Sequence, residues 1–137
     1  MGLFSKLKDF FSGKSLESLK EYEPEIQKLQ KKSNSEIIAL IGTHGRLKGL
    51  PIIYAATDES DIRRLTAQIT ELIGPLTKIS DEETIRDVTI RYYGSILFYK
   101  PISETVSFFA LATYKTDIST LDQWVNSNTV ALREILA

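Results

Sequence analysis

The order in which helix-like and strand-like hydrophobic patterns alternate along the sequence constrains the fold of this chain most. Apolar residues recur every three or four positions in three stretches, a spacing that predicts helices over residues 15–33, 58–73 and 117–137. Short runs of β-branched and aromatic residues predict five strands, over 36–41, 50–55, 85–92, 95–100 and 105–114. The predicted order is therefore α-β-β-α-β-β-β-α.

Strands joined by short turns, with helices on either side of them in the sequence, favour a three-layer α+β domain. We expect a five-stranded antiparallel sheet with helices on both faces. Residues 105–114 carry Phe108 and Phe109 on alternate faces, so this strand is predicted to be central. Residues 85–92 instead alternate polar and apolar positions, which is typical of a strand with one wet face or an edge open to a partner.

Pro24 interrupts the first helical stretch. Proline has no N–H group and disfavours helical geometry in the residue before it, here Glu23. Two outcomes stay open: a kinked helix, or a second helix that begins at Pro24, where proline suits the first turn.

The first residues differ from the rest of the chain. Apolar side chains fall on one stripe of a short amphipathic helix that Gly13 is expected to end. This division gives an N-terminal segment of residues 1–14 and a domain of residues 15–137. The stripe could contact a membrane surface, or it could pack on the body of the protein itself. The predicted membrane contacts are Leu3, Phe4, Lys6, Leu7, Lys8, Phe10 and Phe11.

Composition excludes several classes of function. The 137 residues carry 17 Lys+Arg against 18 Asp+Glu, a balance that does not favour a nucleic-acid partner. The absence of cysteine removes disulfides and thiolate chemistry. His44 is the only histidine, so no histidine-based metal cluster or triad can form. We therefore expect a cytoplasmic protein, peripheral at the inner membrane face if the first segment binds lipid, with no cofactor, no metal and no enzymatic activity.

Three segments together carry a resemblance to a known family. The second predicted strand is entered by GLPIIYA at residues 49–55, the middle helix covers 58–73, and GSILFYKPI occupies residues 94–102. With the order of elements, these segments resemble the roadblock family, the dynein light-chain type of domain also found in MglB-type polarity regulators and Ragulator-type scaffolds. The resemblance covers roughly residues 24 to 137.

The resemblance implies a dimer, either of two copies or with another roadblock or longin-type subunit. In it, the strand near residues 86–92 pairs with its mate, and the middle helices pack together. The implied dimer interface comprises Ile62, Leu65, Ile69, Arg86, Val88, Ile90 and Tyr92. The family further implies a partner among small Ras-like GTPases, which the chain would activate or hold on a platform. The implied GTPase contacts are Arg63, Arg64, Ala67 and Glu71.

Two other hypotheses stay open. The chain could be a structural adaptor that assembles with roadblock or longin-type subunits without regulating a GTPase. It could also be a small-molecule sensor or an enzyme, because mixed α+β domains host ligand pockets. The glycine-rich loop around His44 does not support the enzyme hypothesis, since it lacks the spacing of a phosphate-binding loop and follows a strand in a hairpin.

Overall fold

The computed structural model describes Leu7 and residues 11–136, except for the side chain of Ser60. The chain forms four described helices of five residues or more: α1 (Gly13–Lys20), α2 (Glu23–Ser33), α3 (Ile62–Ile73) and α4 (Ile118–Leu136). The strands are β1 (Ser35–Gly42), β2 (Pro51–Ala56), β3 (Val88–Arg91), β4 (Ser95–Pro101) and β5 (Val106–Thr113).

The strands form one five-stranded sheet in the order β2-β1-β5-β4-β3. All neighbouring strands are antiparallel, with Leu40 of β1 and Lys100 of β4 both opposite Phe108 of β5. This arrangement confirms the predicted central position of residues 105–114. It also places β3 at one edge of the sheet, as the alternating pattern of residues 85–92 indicated.

Helices cover both faces of the sheet. On one face, α1, α2 and α4 bury an apolar core against the side chains of Leu40, Phe98 and Phe108. On the other face, α3 packs its own apolar stripe against Ile41 and Phe109. The predicted three-layer α+β architecture is therefore confirmed, and adjacent residues of the central strand supply one large side chain to each layer.

Pro24 separates two helices rather than bending one. The helix α1 ends at Lys20, and α2 begins at Glu23 with the proline in its first turn, where the missing N–H breaks no intrahelical bond. Asn34 ends α2 in the left-handed conformation, and its N–H donates to the carbonyl oxygens of Gln30 and Lys31.

Gly13 is the first residue of α1 and its φ is not positive, so it is not the left-handed cap that was predicted to end the helix before it. The side chain of Ser12 accepts a hydrogen bond from the backbone N–H of Ser15 at 3.1 Å, so Ser12 is the N-cap of α1. The predicted division between residues 14 and 15 consequently falls inside α1.

The register of β3 follows from one hydrogen bond at its end. The backbone N–H of Tyr92 donates to the carbonyl oxygen of Ser95 at 2.8 Å. Because alternate residues of an antiparallel strand bond to the same neighbour, Ile90 and Val88 also direct their backbone groups toward β4. The residues between them direct theirs away from the sheet.

This register explains why β3 is shorter than the predicted 85–92. The next residue to bond β4 would be Arg86, opposite Pro101, which has no N–H to donate. The preceding residue, Ile85, donates its N–H instead to the carbonyl oxygen of Thr77 at 2.8 Å. Arg86, predicted to lie in the pairing strand, therefore lies before it.

Candidate protein-interaction site

The face of the sheet that carries α3 leaves an apolar cleft beside the edge strand. The cleft has a volume of about 220 Å³, and Ser95 is its only residue with a polar side chain other than the tyrosine hydroxyl. Its lining residues are Leu65, Ile69, Tyr92, Ser95, Leu97, Phe109 and Leu111. We call this surface, together with the exposed side of α3, the α3–β3 face. Leu65 and Tyr92, both predicted interface residues from distant segments, meet here.

The other predicted interface residues divide into two groups. Ile62 and Ile69 are buried and pack, with Ile73, against the sheet of their own chain. This corrects the expectation that the side chain of Ile62 faces a partner, because its spacing places it on the inner stripe of α3. Ile69 lies on the same stripe but still borders the cleft. Val88 and Ile90 are half-buried at the border of the same apolar layer, where they stay partly accessible.

The open edge of β3 carries backbone groups that the sheet leaves unused. Thr89 and Arg91 direct their N–H and C=O groups away from β4, and within the described part of the chain β3 pairs with that one strand only. An unpaired strand edge is a template for the strand of another chain. The edge of β3 therefore extends the α3–β3 face with a set of ready hydrogen-bonding groups.

All four predicted GTPase contacts on α3 are exposed: Arg63, Arg64, Ala67 and Glu71. Arg64 is held in place, since its guanidinium lies 3.2 Å from a carboxylate oxygen of Asp61 and donates to Gln68 at 3.2 Å. Arg63 makes no hydrogen bond or ion pair to any residue that the structure describes. The two arginines are thus adjacent in the sequence, but only the guanidinium of Arg63 is without a partner among the described residues.

Part of the apolar surface at the end of α3 is not evident from the hydrophobic pattern. Leu72 and Leu76 are 55% and 59% exposed, although their spacing suggested a buried stripe. Leu72 follows the half-buried Leu65 by two helical turns, so these two leucines lie along one side of α3. The apolar spacing of α3 includes Leu72, but this spacing does not reveal how much of the apolar stripe the sheet covers.

The described part of the N-terminal segment lies on the protein body. Leu7 is 3% exposed and belongs to the core beneath α1 and α4, while Phe11 packs against that core. This corrects the predicted membrane contact of Leu7, whose side chain is used inside the fold. The remaining predicted contacts, Leu3, Phe4, Lys6, Lys8 and Phe10, lie outside the described residues. No helix in the described part of the chain is long and apolar enough to cross a bilayer.

The described residues form no evident catalytic constellation. A cavity of about 920 Å³ is lined by cations that already have partners, including Lys100 with Asp122 and Arg133 with the carbonyl of Ile102. His44 is exposed in its loop. Across residues 11–136, no group of three or more histidines or carboxylates is placed to hold a metal.

Solved structures, but no sequence family, resemble this architecture. No family model matches the chain, and no curated protein sequence matches it. Among solved structures, Myxococcus xanthus MglB aligns with a TM-score of 0.70 and 13% identity, covering 86% of this chain and 92% of that one. A Roadblock/LC7 domain from Streptomyces avermitilis aligns with a TM-score of 0.70 and 15% identity, covering 83% and 96%.

A further MglB structure, described as having a tetrameric arrangement, aligns with a TM-score of 0.71 and 13% identity over 92% of this chain and 93% of that one. The element order, the sheet and these alignments together define an α+β domain of the roadblock type. The chain has the roadblock fold.

Proposed function

We propose that this chain is a non-catalytic, dimeric regulator or platform for a small Ras-like GTPase. The observation that carries the proposal is the α3–β3 face, where an open strand edge, an apolar cleft and the exposed side of one helix adjoin. A surface of this kind supports association of two sheets edge to edge.

The dimer is the first step of the proposal. The outward backbone groups of Thr89 and Arg91 would bond to β3 of a second copy, and the partly accessible side chains of Leu65, Ile90 and Tyr92 would pack across the junction. Such pairing is isologous, because the same patch contributes from both copies. The related folds include a structure described as MglB with a tetrameric arrangement, which supports an oligomer-forming fold.

The GTPase is the second step. In a pair of sheets joined at β3, the two α3 helices lie on the same side and together present their exposed residues. Arg63 is available there as a cation without a described partner, while Arg64 is restrained by Asp61. The resemblance to the roadblock family supports a small GTPase as the occupant of this surface. Activation and simple positioning of the GTPase are both compatible with the surface.

Nucleotide-dependent binding tests the proposal. The full chain is immobilised and incubated with purified small Ras-like GTPases of the source organism, each loaded with GDP or with a non-hydrolysable GTP analogue. We expect one GTPase to bind in only one nucleotide state, and Arg63→Glu to weaken that binding. A hydrolysis assay with the same pair then separates activation from positioning.

Lys31→Glu is the matched control, because Lys31 is an exposed cation on α2 at the opposite face of the sheet. Equal losses from Arg63→Glu and Lys31→Glu would argue against the α3–β3 face as the contact. Nucleotide-insensitive association with other roadblock or longin-type subunits, and no GTPase binding, would instead support the adaptor function.

A further inference from the structure

A second surface lies on the opposite side of the sheet, in the groove between α2 and α4. Its volume is about 370 Å³, within the range of sites that accept a protein side-chain cluster or a small ligand. The lining residues occupy one face of each helix, and they are Glu25, Lys28, Leu29, Lys32, Thr120, Gln123, Trp124, Ser127 and Asn128. We call this surface the α2–α4 groove.

An apolar floor gives the groove a fixed shape. Leu29 is buried, and Trp124 is half-buried with its ring centroid 5.8 Å from that of Phe108 and 6.3 Å from that of Tyr22. The indole N–H of Trp124 donates to no described acceptor, and it is not among the polar atoms that are fully buried without a hydrogen bond. Since an indole N–H at an interface usually finds an acceptor, this donor stays available to an occupant of the groove.

Among the described residues that line the groove, the charged ones all lie on α2. Lys28 and Lys32 are exposed, stand one helical turn apart and have no described hydrogen-bond or ion-pair partner. Glu25 stands at the other end of the same wall. The α4 wall contributes only neutral side chains. The groove therefore offers two cations and an indole donor. One carboxylate makes one end of the groove acidic while the other end is basic.

We propose that the α2–α4 groove binds an amphipathic helix of a partner protein that carries two carboxylates one turn apart. Its apolar side chains would cover Leu29 and Trp124, and its carboxylates would pair with Lys28 and Lys32. A cation on the same helix, placed toward Glu25, would fix the direction in which the helix lies. The groove and the α3–β3 face lie on opposite sides of the sheet, so both can be occupied at once.

The charges argue against the two occupants that the chain itself could supply, its own N-terminal segment and a second copy. The N-terminal segment carries Lys6 and Lys8 against the single carboxylate of Asp9, so it does not complement the lysines of the groove. A second copy docked groove to groove would bring like charges together. An acidic helix is the occupant that the charge pattern favours.

Trp124 provides a direct readout, because it is the only tryptophan in the chain. The first measurement is acrylamide quenching of Trp124 in the free full-length protein at several concentrations. We expect an accessible tryptophan whose quenching does not depend on concentration. Strong protection in the free protein would mean that the chain or its copy already fills the groove, and it would overturn the proposal.

The second measurement uses displayed helical peptides of about four turns, selected on the full-length protein and counter-selected on Lys32→Glu. We expect enriched peptides to carry Asp or Glu at positions i and i+4 beside an apolar stripe, and to shift the emission of Trp124. Reversal of a charge across such an interface is expected to weaken binding by about tenfold.

Lys31→Glu is again the matched control, since it makes the same charge change on the same helix outside the groove. We expect this variant to bind the selected peptides as the unmodified chain does, and both variants to keep its melting temperature. Binding that ignores Lys32→Glu, peptides without acidic pairs, or an unchanged Trp124 emission would each overturn the proposal.

Discussion

The ammonium group of Lys100 lies 2.6 Å from a carboxylate oxygen of Asp122 and donates to the side chain of Asn126 at 2.7 Å. This cluster joins β4 to α4, and the lysine side chain is only 15% exposed. Lys100→Met leaves Asp122 without its cation. We expect a loss of about 1–2 kcal/mol in the free energy of unfolding, between the values for exposed and buried pairs. Urea unfolding measures it.

A weaker ion pair in the same chain supplies the control. Lys78 and Asp81 are 3.7 Å apart, and both side chains are more than half exposed. Lys78→Met should therefore change the free energy of unfolding by less than about 0.5 kcal/mol. Similar losses for both variants would contradict a stabilising role for the link between β4 and α4.

Thr89→Pro tests the pairing of β3 with a second copy. The N–H of Thr89 points away from β4, so the substitution removes no hydrogen bond inside one protomer. In the proposed dimer it removes one bond from each copy, about 1–3 kcal/mol in total, which weakens association by about fivefold to 150-fold. Analytical ultracentrifugation measures the dissociation constant.

Thr89→Val keeps the N–H at the same position and should leave the dimer intact. An unchanged dissociation constant for Thr89→Pro, with the melting temperature preserved, would place the dimer contact elsewhere.

Leu7→Ala tests whether the N-terminal segment belongs to the folded body. Because Leu7 is 3% exposed, truncation should cost about 2–3 kcal/mol of the free energy of unfolding. Val130→Ala on α4 is the control, since Val130 is 68% exposed and should have an effect below about 0.5 kcal/mol. A Leu7→Ala protein as stable as the unmodified chain would show that this side chain adds nothing to the core. Membrane binding through Leu7 would require it to leave that core.

The stability of the fold should decline at alkaline pH because of Tyr99. Burial raises the pKa of its phenol above the ordinary value of 10.0, although a hydrogen bond with Ser107 acts in the opposite direction. The unfolded chain then loses this proton before the folded chain does. The resulting stability is fully present below the unfolded pKa and is lost as pH rises through the folded pKa.

Thermal unfolding between about pH 8 and about pH 11 checks this expectation against the ordinary tyrosine range. Tyr99→Phe should reduce the alkaline loss of melting temperature, whereas Tyr93→Phe, a change at a fully exposed residue, should not. The pKa of Tyr22 is also raised, by burial and by Glu25 and Glu21. The Tyr99→Phe protein should therefore still lose some melting temperature at alkaline pH. An identical alkaline loss in Tyr99→Phe would contradict the assignment.

Local patterns were sufficient to predict the order of the elements. Consecutive apolar residues around Phe108 required cover on both faces, and Pro24 required either a kink or a break in the first helix; both follow from properties of the residues themselves. The α3 helix was equally clear from its apolar period, although the period did not distinguish the buried Ile69 from the exposed Leu72.

The errors arose where residues distant in the sequence decide the outcome. The start of β3 depends on Pro101 across the sheet, which no pattern in residues 85–92 contains. Leu7 lies on an amphipathic stripe that suits a membrane and a protein core equally, and only the packing of α1 and α4 distinguishes them. The α2–α4 groove likewise exists because two helices separated by most of the sequence lie on the same face.

The strand order has a consequence for how the protein is made. The hairpins β1–β2 and β3–β4 can each form from neighbouring residues, but β5 joins them, and it is synthesised after both. Until Val106–Thr113 leaves the ribosome, β1 and β4 each expose an edge, and Phe98 has no central strand beside it. Non-local pairing of this kind slows folding and leaves unfinished chains prone to aggregate. Nascent chains that stall before residue 106 should therefore be strong clients of chaperones.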